Sequence, residues 1–145
     1  MAGQAEARIA LAESVTRNSK LAHLKENERR ALAELVNRLR GRYGDDLLRV
    51  ALFGSKARGD FDEESDLDVL AVVKHIPDET YWRHRSEIVE STYDLELKHD
   101  VVFSLLVLDE EEYGRMRLWN LLINRNIARD GIDLWTSRSS EPQFA

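Results

Sequence analysis

Two short apolar runs that lie close together in the chain limit its fold more than any other feature. Residues 48–53 read LRVALF and residues 66–73 read DLDVLAVV, and both are rich in Val and Leu. Each run predicts a buried strand. A third run, Asp100–Leu108 (DVVFSLLVL), has the same appearance and predicts a third strand. The core is therefore expected to contain a sheet.

Segments with helical spacing of apolar residues flank these runs. Residues 28–43 are the clearest, residues 5–21 are modestly amphipathic, and Asp78–Leu97 predicts one long helix. One or two further helices are expected after the acidic turn that begins at Asp109, because acidic residues favour a helix N-terminus. The order of these elements predicts an α/β or α+β fold.

Composition narrows the class of protein. A chain of 145 residues suits one domain. The net charge of −6 argues against an extensive nucleic-acid surface, since such surfaces are usually basic. The absence of cysteine excludes disulfides and cysteine metal sites. The N-terminus does not resemble a secretory signal and no apolar run approaches a membrane span, so we expect a cytoplasmic protein with no membrane partner.

Two carboxylates stand at the start of the second apolar run. Alternate side chains of a strand share a face, so Asp66 and Asp68 are expected to point the same way while Leu67 points into the core. Two close carboxylates raise each other's pKa, and a divalent cation between them removes the repulsion. Oxygen ligands suit Mg²⁺ or Mn²⁺. If the strand that begins at Asp100 is a neighbour, this third acid would join them in a two-metal site.

The first apolar run ends in Gly54-Ser55, a sequence that can hold phosphate. A strand that leads through glycine into a helical turn presents backbone N–H groups to an anion, and glycine allows a close approach. The Ser55 hydroxyl can donate to a phosphate oxygen, and the Arg58 guanidinium can reach the same group. Lys56 either contacts phosphate or faces solvent. Each of these patterns is common alone, but their combination is costly to assemble for stability only.

The residues together resemble a known family. Gly54-Ser55, ten intervening residues and then Asp66-Leu67-Asp68 is similar to the GS-x10-DxD signature of minimal nucleotidyltransferases, in the DNA polymerase beta-like superfamily. GSKARGDFDEESDLDVLAVV extends the match, with lysine at position 56 where arginine is commonest. Asp100 looks like the family's third acid, and NRNIARDGIDLW looks like its closing helix and strand. The resemblance covers about residues 28–135.

The resemblance implies a fold, a chemistry and a set of ligands. The fold would be a small mixed sheet with helices packed on one face. Asp66 and Asp68 would hold two Mg²⁺ ions, and Asp100 would share one of them. Gly54, Ser55 and Arg58 would bind the phosphates of ATP. AMP would pass to an acceptor hydroxyl, with release of pyrophosphate.

The same resemblance suggests a partner, and alternatives stay open. Small members of the family act as antitoxins that adenylylate a tyrosine of a HEPN toxin. The chain could instead neutralise its partner by complex formation without transfer, or modify a small molecule of the aminoglycoside type. We expect a helical extension in residues 1–25, the nucleotidyltransferase domain in 26–135 and a flexible tail in 136–145. The extension could pack on its own domain, bind the partner or form a homo-oligomer.

Overall fold

The computed structural model describes residues 14–59, 65–118 and 122–137, which form a four-stranded sheet covered by helices. The strands are β1 (Leu47–Phe53), β2 (Leu67–Val73), β3 (Phe103–Asp109) and β4 (Ile132–Thr136). The helices are α1 (Glu26–Tyr43), α2 (Gly54–Arg58), α3 (Tyr81–Glu90), α4 (Tyr93–His99), α5 (Glu110–Leu118) and α6 (Leu122–Asp130).

The sheet is mixed, as the resemblance implied. Its strand order is β3-β2-β1-β4. Strand β1 pairs antiparallel with both β2 and β4, whereas β2 and β3 run parallel. The register places Phe53 beside Asp68 and Asp68 beside Ser104. The end of β1 and the beginnings of β2 and β3 therefore meet at one edge of the sheet.

Helices cover both faces of this sheet, which corrects the expectation of one helical face. The larger core lies between the sheet and helices α1, α3 and α4, and contains Leu35, Leu39, Val69 and Ile88. The opposite face carries a smaller core. Its members come from β1, β2, β3, α5 and α6, and they are Leu48, Leu70, Val72, Leu108, Tyr113, Met116 and Ile127. Alternation along β2 produces this division, because successive side chains of a strand point to opposite faces.

The described residues that precede α1, 14–25, pack on this domain. Residues 1–13 of the expected extension lie outside the described residues. Within residues 14–25, Val15, Leu21 and Leu24 are buried in the larger core. The part of the extension that the structure describes therefore shares the core of the domain. At the other end, Thr136 is the last residue of β4, and residues 138–145 of the expected tail lie outside the described ranges.

Two predicted elements differ from those observed. The helix expected over Asp78–Leu97 is divided at Ser91-Thr92, where the Ser91 hydroxyl donates to the Ile88 carbonyl at 2.6 Å and the Thr92 hydroxyl donates to the Val89 carbonyl at 2.7 Å. Such local bonds compete with the helical backbone pattern. The third strand begins at Phe103 and not at Asp100. In the described residues, no helix is long and apolar enough to cross a membrane.

Candidate active site

Asp66 and Asp68 stand together at the start of β2, as the strand pattern predicted. Leu67 between them is 1% exposed and belongs to the larger core. Asp68 lies on the opposite face, where it pairs with Phe53 of β1 on one side and Ser104 of β3 on the other. The pKa of Asp68 is raised above its ordinary value, first by burial and then by the negative charge of Asp66. The two carboxylates therefore interact.

Gly54 begins the short helix α2 directly beside Asp68. Its φ of +75° is a conformation that residues with a side chain rarely adopt. A Cβ at this position would lie 2.2 Å from Asp68 Oδ2. Only glycine satisfies both conditions, so the backbone at the start of α2 reaches the carboxylate without obstruction. The N–H groups of Gly54 and Ser55 belong to the first helical turn, which has no intrahelical acceptors for them.

Arg58 ends the same helix and lies near the carboxylates. Its positive charge opposes the rise in the pKa of Asp68. Its Nη1 lies 4.0 Å from Asp130 Oδ2 at the end of α6, and Asp130 also contacts Arg129 Nη2 at 2.9 Å. Arg58 keeps 31% of its side chain exposed. The Arg58 guanidinium is therefore partly exposed and close enough to Asp68 to affect its pKa.

Lys56 takes neither of the two roles considered from the sequence. Its side chain is 1% exposed, and Nζ lies 2.6 Å from Glu28 Oε2 on α1. The Glu28 side chain is 7% exposed, and its other oxygen accepts the Lys25 N–H at 2.9 Å. The Lys56 carbonyl accepts a hydrogen bond from His23 Nε2 at 2.5 Å. Lys56 therefore fixes α2 to the beginning of α1.

Asp100 does not lie on β3 beside Asp68. It follows α4 as the capping residue, with a left-handed φ of 55°, and its side chain is exposed. It lines a polar groove with Lys25, Asn27 and Leu67. Leu67 points away from the face that carries Asp68, so this groove opens toward the α1 side of the sheet. The role of Asp100 as a third metal ligand stays a prediction.

Sequence reasoning missed Ser104. The parallel register places it directly beside Asp68, and its hydroxyl opposes the rise in the pKa of that carboxyl. Serine inside the apolar run VVFSLLVL gave a signal, since it is the only polar residue between Asp100 and Asp109. Without the register, that signal did not connect Ser104 to Asp68.

The carboxylates present suit a hard divalent cation with few protein ligands. Asp66 and Asp68 supply oxygen donors, and the pKa of Asp68 is raised first by burial and then by the charge of Asp66, a repulsion that a bound cation would offset. Among the residues described, no three aspartate, glutamate or histidine side chains converge to hold a metal ion. Water and the phosphate oxygens of a nucleotide would supply further ligands of such a cation, an arrangement that is usual for Mg²⁺.

A mixed sheet with paired carboxylates beside a glycine-serine helix start is the arrangement of a nucleotide-transferring enzyme, and comparisons with known proteins agree. The family model of the nucleotidyltransferase domain matches residues 32–132. "Putative protein adenylyltransferase MJ0604" of Methanocaldococcus jannaschii is 35% identical over 105 residues, which cover 72% of this chain and 95% of that protein. "Putative protein adenylyltransferase MJ0141" of the same organism is 44% identical over 63 residues, covering 43% of this chain and 61% of that protein. The chain therefore belongs to the nucleotidyltransferase domain family.

A solved structure has the same fold. A chain from the crystal structure of a toxin-antitoxin with AMP-PNP aligns with a TM-score of 0.50 at 18% sequence identity, covering 77% of this chain and 79% of that one. At this identity the likeness concerns the fold. It agrees with the α/β class and the mixed sheet predicted from the sequence, and the enzyme class predicted there is confirmed by the family match.

Proposed function

We propose that the protein transfers AMP from ATP to a hydroxyl group of a partner protein. The observation that carries the proposal is the contact between Gly54 and Asp68, which puts a phosphate-accessible backbone directly beside paired carboxylates. The names of the relatives, protein adenylyltransferases, support a protein acceptor. In the transfer, the acceptor oxygen bonds to the α-phosphorus, the bond from that phosphorus to the bridging oxygen of the β-phosphate breaks, pyrophosphate leaves and the hydroxyl proton passes to solvent.

Each residue would have a role that follows from its position. The N–H groups of Gly54 and Ser55 and the guanidinium of Arg58 would hold the β- and γ-phosphates. Asp66 and Asp68 would hold Mg²⁺, with Mn²⁺ as an alternative. When bound, the metal would supply counter-charge to the triphosphate and favour the ionised acceptor hydroxyl. Asp100 would serve as a further ligand only if the turn after α4 moved toward Asp68.

The partner would be a HEPN-type toxin, and the acceptor one of its tyrosines, so that this protein acts as an antitoxin. Support comes from the family resemblance and from the toxin-antitoxin origin of the structure with the same fold. The test incubates the protein with α-labelled ATP, Mg²⁺ and the toxin encoded beside it. Label is expected on a toxin tyrosine together with loss of toxicity. Neutralised toxin that carries no label would refute the transfer.

A second candidate function has an observation of its own. Ser104, and not a third acid, stands beside Asp68, and among the described residues no three acids converge. This favours an antitoxin that neutralises its partner by complex formation without transfer. The double variant Asp66→Asn/Asp68→Asn distinguishes the two candidate functions. It would still neutralise the toxin if complex formation is enough, and it would not if AMP transfer is required.

A further inference from the structure

His23 is hydrogen-bonded to the backbone of α2, the short helix that carries Gly54 and Arg58. Its Nε2 lies 2.5 Å from the Lys56 carbonyl oxygen. A carbonyl can only accept, so Nε2 is a protonated ring nitrogen and donates. The Lys56 carbonyl is among the last four of α2, for which a helix has no N–H partner of its own. The His23 side chain supplies that partner from a distant part of the chain.

The turn that presents His23 is anchored in the core. Leu21 and Leu24, on either side of it in sequence, are both buried in the larger core. The Leu24 N–H donates to the Leu21 carbonyl at 3.0 Å and closes the turn. His23 itself is exposed, so its ring is not part of the core packing. Its contact with α2 can therefore be removed without a cavity in the core.

Helix α2 depends on contacts of this kind because it is only five residues long. Isolated helices shorter than about 12 residues are marginal in water. Lys56 is held twice by the chain around the start of α1, since its ammonium pairs with Glu28 and its carbonyl accepts from His23. One contact holds the side chain and the other holds the backbone. A shift of α2 would move Gly54 from its position beside Asp68.

We propose that His23 is a positioning residue that keeps α2 in the geometry that accepts the phosphates of a nucleotide. The inference rests on the proposed function, since it assumes that the α2 backbone and Arg58 bind these phosphates. His23 lies outside residues 32–132, which match the nucleotidyltransferase model, so this contact comes from the segment before the matched domain. A displacement of about 1 Å in a binding group can lower a rate about a hundredfold, so loss of the contact should have a measurable effect.

The first measurement is the affinity for AMP-PNP with Mg²⁺, by isothermal titration calorimetry. His23→Ala is expected to fold, because His23 is exposed, and to bind AMP-PNP about tenfold more weakly than the unaltered protein. His23→Gln keeps an N–H donor on a side chain of similar reach, and its affinity is expected to stay within about threefold. In AMP transfer, His23→Ala should raise the KM for ATP and leave the KM for the partner protein unchanged.

His84→Ala is the matched control. It removes another histidine, whose Nε2 lies 2.8 Å from the Tyr43 hydroxyl, between α3 and α1. Its Tm should fall while its affinity for AMP-PNP stays unchanged. Three outcomes would overturn the proposal: unchanged affinity in His23→Ala, equal losses in His23→Ala and His23→Gln, or an equal loss in His84→Ala.

A second measurement needs no nucleotide. Amide hydrogen exchange of the α2 peptide, followed by mass spectrometry, should be faster in His23→Ala and unchanged in His23→Gln and His84→Ala, because α2 opens more readily without the donor. If the unaltered protein bound no AMP-PNP, the proposed function would fail and the exchange of α2 would decide this inference. Faster exchange in His23→Ala alone would support the role of His23 in holding α2, and equal exchange in all the proteins would overturn it.

Discussion

Lys56 Nζ lies 2.6 Å from Glu28 Oε2, and both side chains are buried. The two residues are distant in sequence, and their contact joins the helix that begins with Gly54 to the N-terminal turn of α1. Glu28 also accepts the Lys25 N–H, so one carboxylate caps a helix and neutralises a buried ammonium. A charge that is so enclosed is not available to a phosphate group. We expect the pair to position the Gly54-Ser55 backbone without contacting the nucleotide.

Removal of Lys56 is expected to destabilise the protein strongly. Lys56→Met would leave Glu28 buried without its partner, and breaking a buried pair from one side costs about 3–5 kcal/mol. Glu28→Gln/Lys56→Met should be less destabilised than Lys56→Met, because no unpaired charge remains. Lys56→Arg should keep the ion pair and most of the stability. The measurement is the free energy of unfolding from urea titration.

ATP binding gives the outcome that would contradict this interpretation. If Lys56→Met unfolded at the same urea concentration as the unaltered protein but lost affinity for ATP, Lys56 would be a phosphate ligand. We expect Lys56→Met to lose stability. We expect the folded Lys56→Arg variant to retain its affinity for ATP.

Asp66→Asn/Asp68→Asn is expected to lower AMP transfer by at least about a hundredfold while the fold is kept, since the metal would lose both protein ligands. Transfer is measured with α-labelled ATP, and the fold by circular dichroism. Glu110→Gln is a matched control, because it removes an exposed carboxylate from α5, away from the site. A double variant that does not fold would show that the acidic pair is structural.

The pKa of Asp68 leads to a prediction for the stability of the metal-free protein. This pKa is raised above 3.8 by burial and by Asp66, so the folded protein holds the proton more firmly than the unfolded chain. The stability that Asp68 contributes is therefore present at low pH and is lost as the pH rises through its folded pKa. In EDTA at pH 7, Asp68→Asn should gain up to about 1 kcal/mol over the unaltered protein after solvent screening. The gain should vanish below pH 4.

The measurement is Tm against pH for both proteins, first in EDTA and then with excess Mn²⁺. The metal should stabilise the unaltered protein and not Asp68→Asn, because binding to the folded state alone raises stability. A difference in Tm that stayed constant from pH 4 to pH 8 in EDTA would contradict the origin given for the raised pKa.

The paired strands and the two acids of β2 could be predicted from the sequence because they depend on local periodicity. Alternation placed Leu67 in the core and Asp68 on the other face, as observed. The glycine-serine turn was also a local signal, since it follows directly from the end of β1. Such features require no knowledge of distant residues.

The remaining features depended on contacts between distant residues. The predicted position of Asp100 depended on where the third strand begins. Asp100 instead forms the left-handed turn after α4, and β3 begins only at Phe103. Lys56 is adjacent to Ser55 in sequence, but one residue further along a helix the side chain points in another direction, and here it meets Glu28. The position of Ser104 beside Asp68 required the register between β2 and β3. None of these relations is encoded within one segment.

Arg58 provides a prediction for nucleotide affinity. Arg58→Ala is expected to weaken binding of a non-hydrolysable ATP analogue about tenfold, since charge-assisted bonds from a guanidinium to phosphate would be lost. Asp130→Asn should have a smaller effect, because Asp130 lies 4.0 Å from Arg58 and only orients it. Arg115→Ala removes an exposed arginine that pairs with Glu111 on α5 and serves as the control. Isothermal titration calorimetry gives the affinities, and equal values for Arg58→Ala and Arg115→Ala would exclude Arg58 from the phosphate site.

Two glycines allow a matched test of the site's steric requirement. In Gly54→Ala the new methyl group would lie 2.2 Å from Asp68 Oδ2, on a residue with φ of +75°. We expect a loss of about 1–3 kcal/mol in stability from the backbone strain alone, together with loss of ATP binding, because the Asp68 carboxylate must move. The free energy of unfolding and the affinity for the ATP analogue are measured on the same preparations.

Gly41→Ala is the control for this substitution. Gly41 lies within α1, and a Cβ there would meet nothing within 4 Å. Alanine is the better helix former, so this variant should gain about 0.5–1 kcal/mol in stability and keep its ATP affinity. The same change from glycine to alanine is expected to lower the stability at position 54 and to raise it at position 41. This difference separates the conformational requirement at Gly54 from a general effect of adding a methyl group. If Gly54→Ala kept both its stability and its ATP affinity, the close contact between Gly54 and Asp68 would not be needed for nucleotide binding.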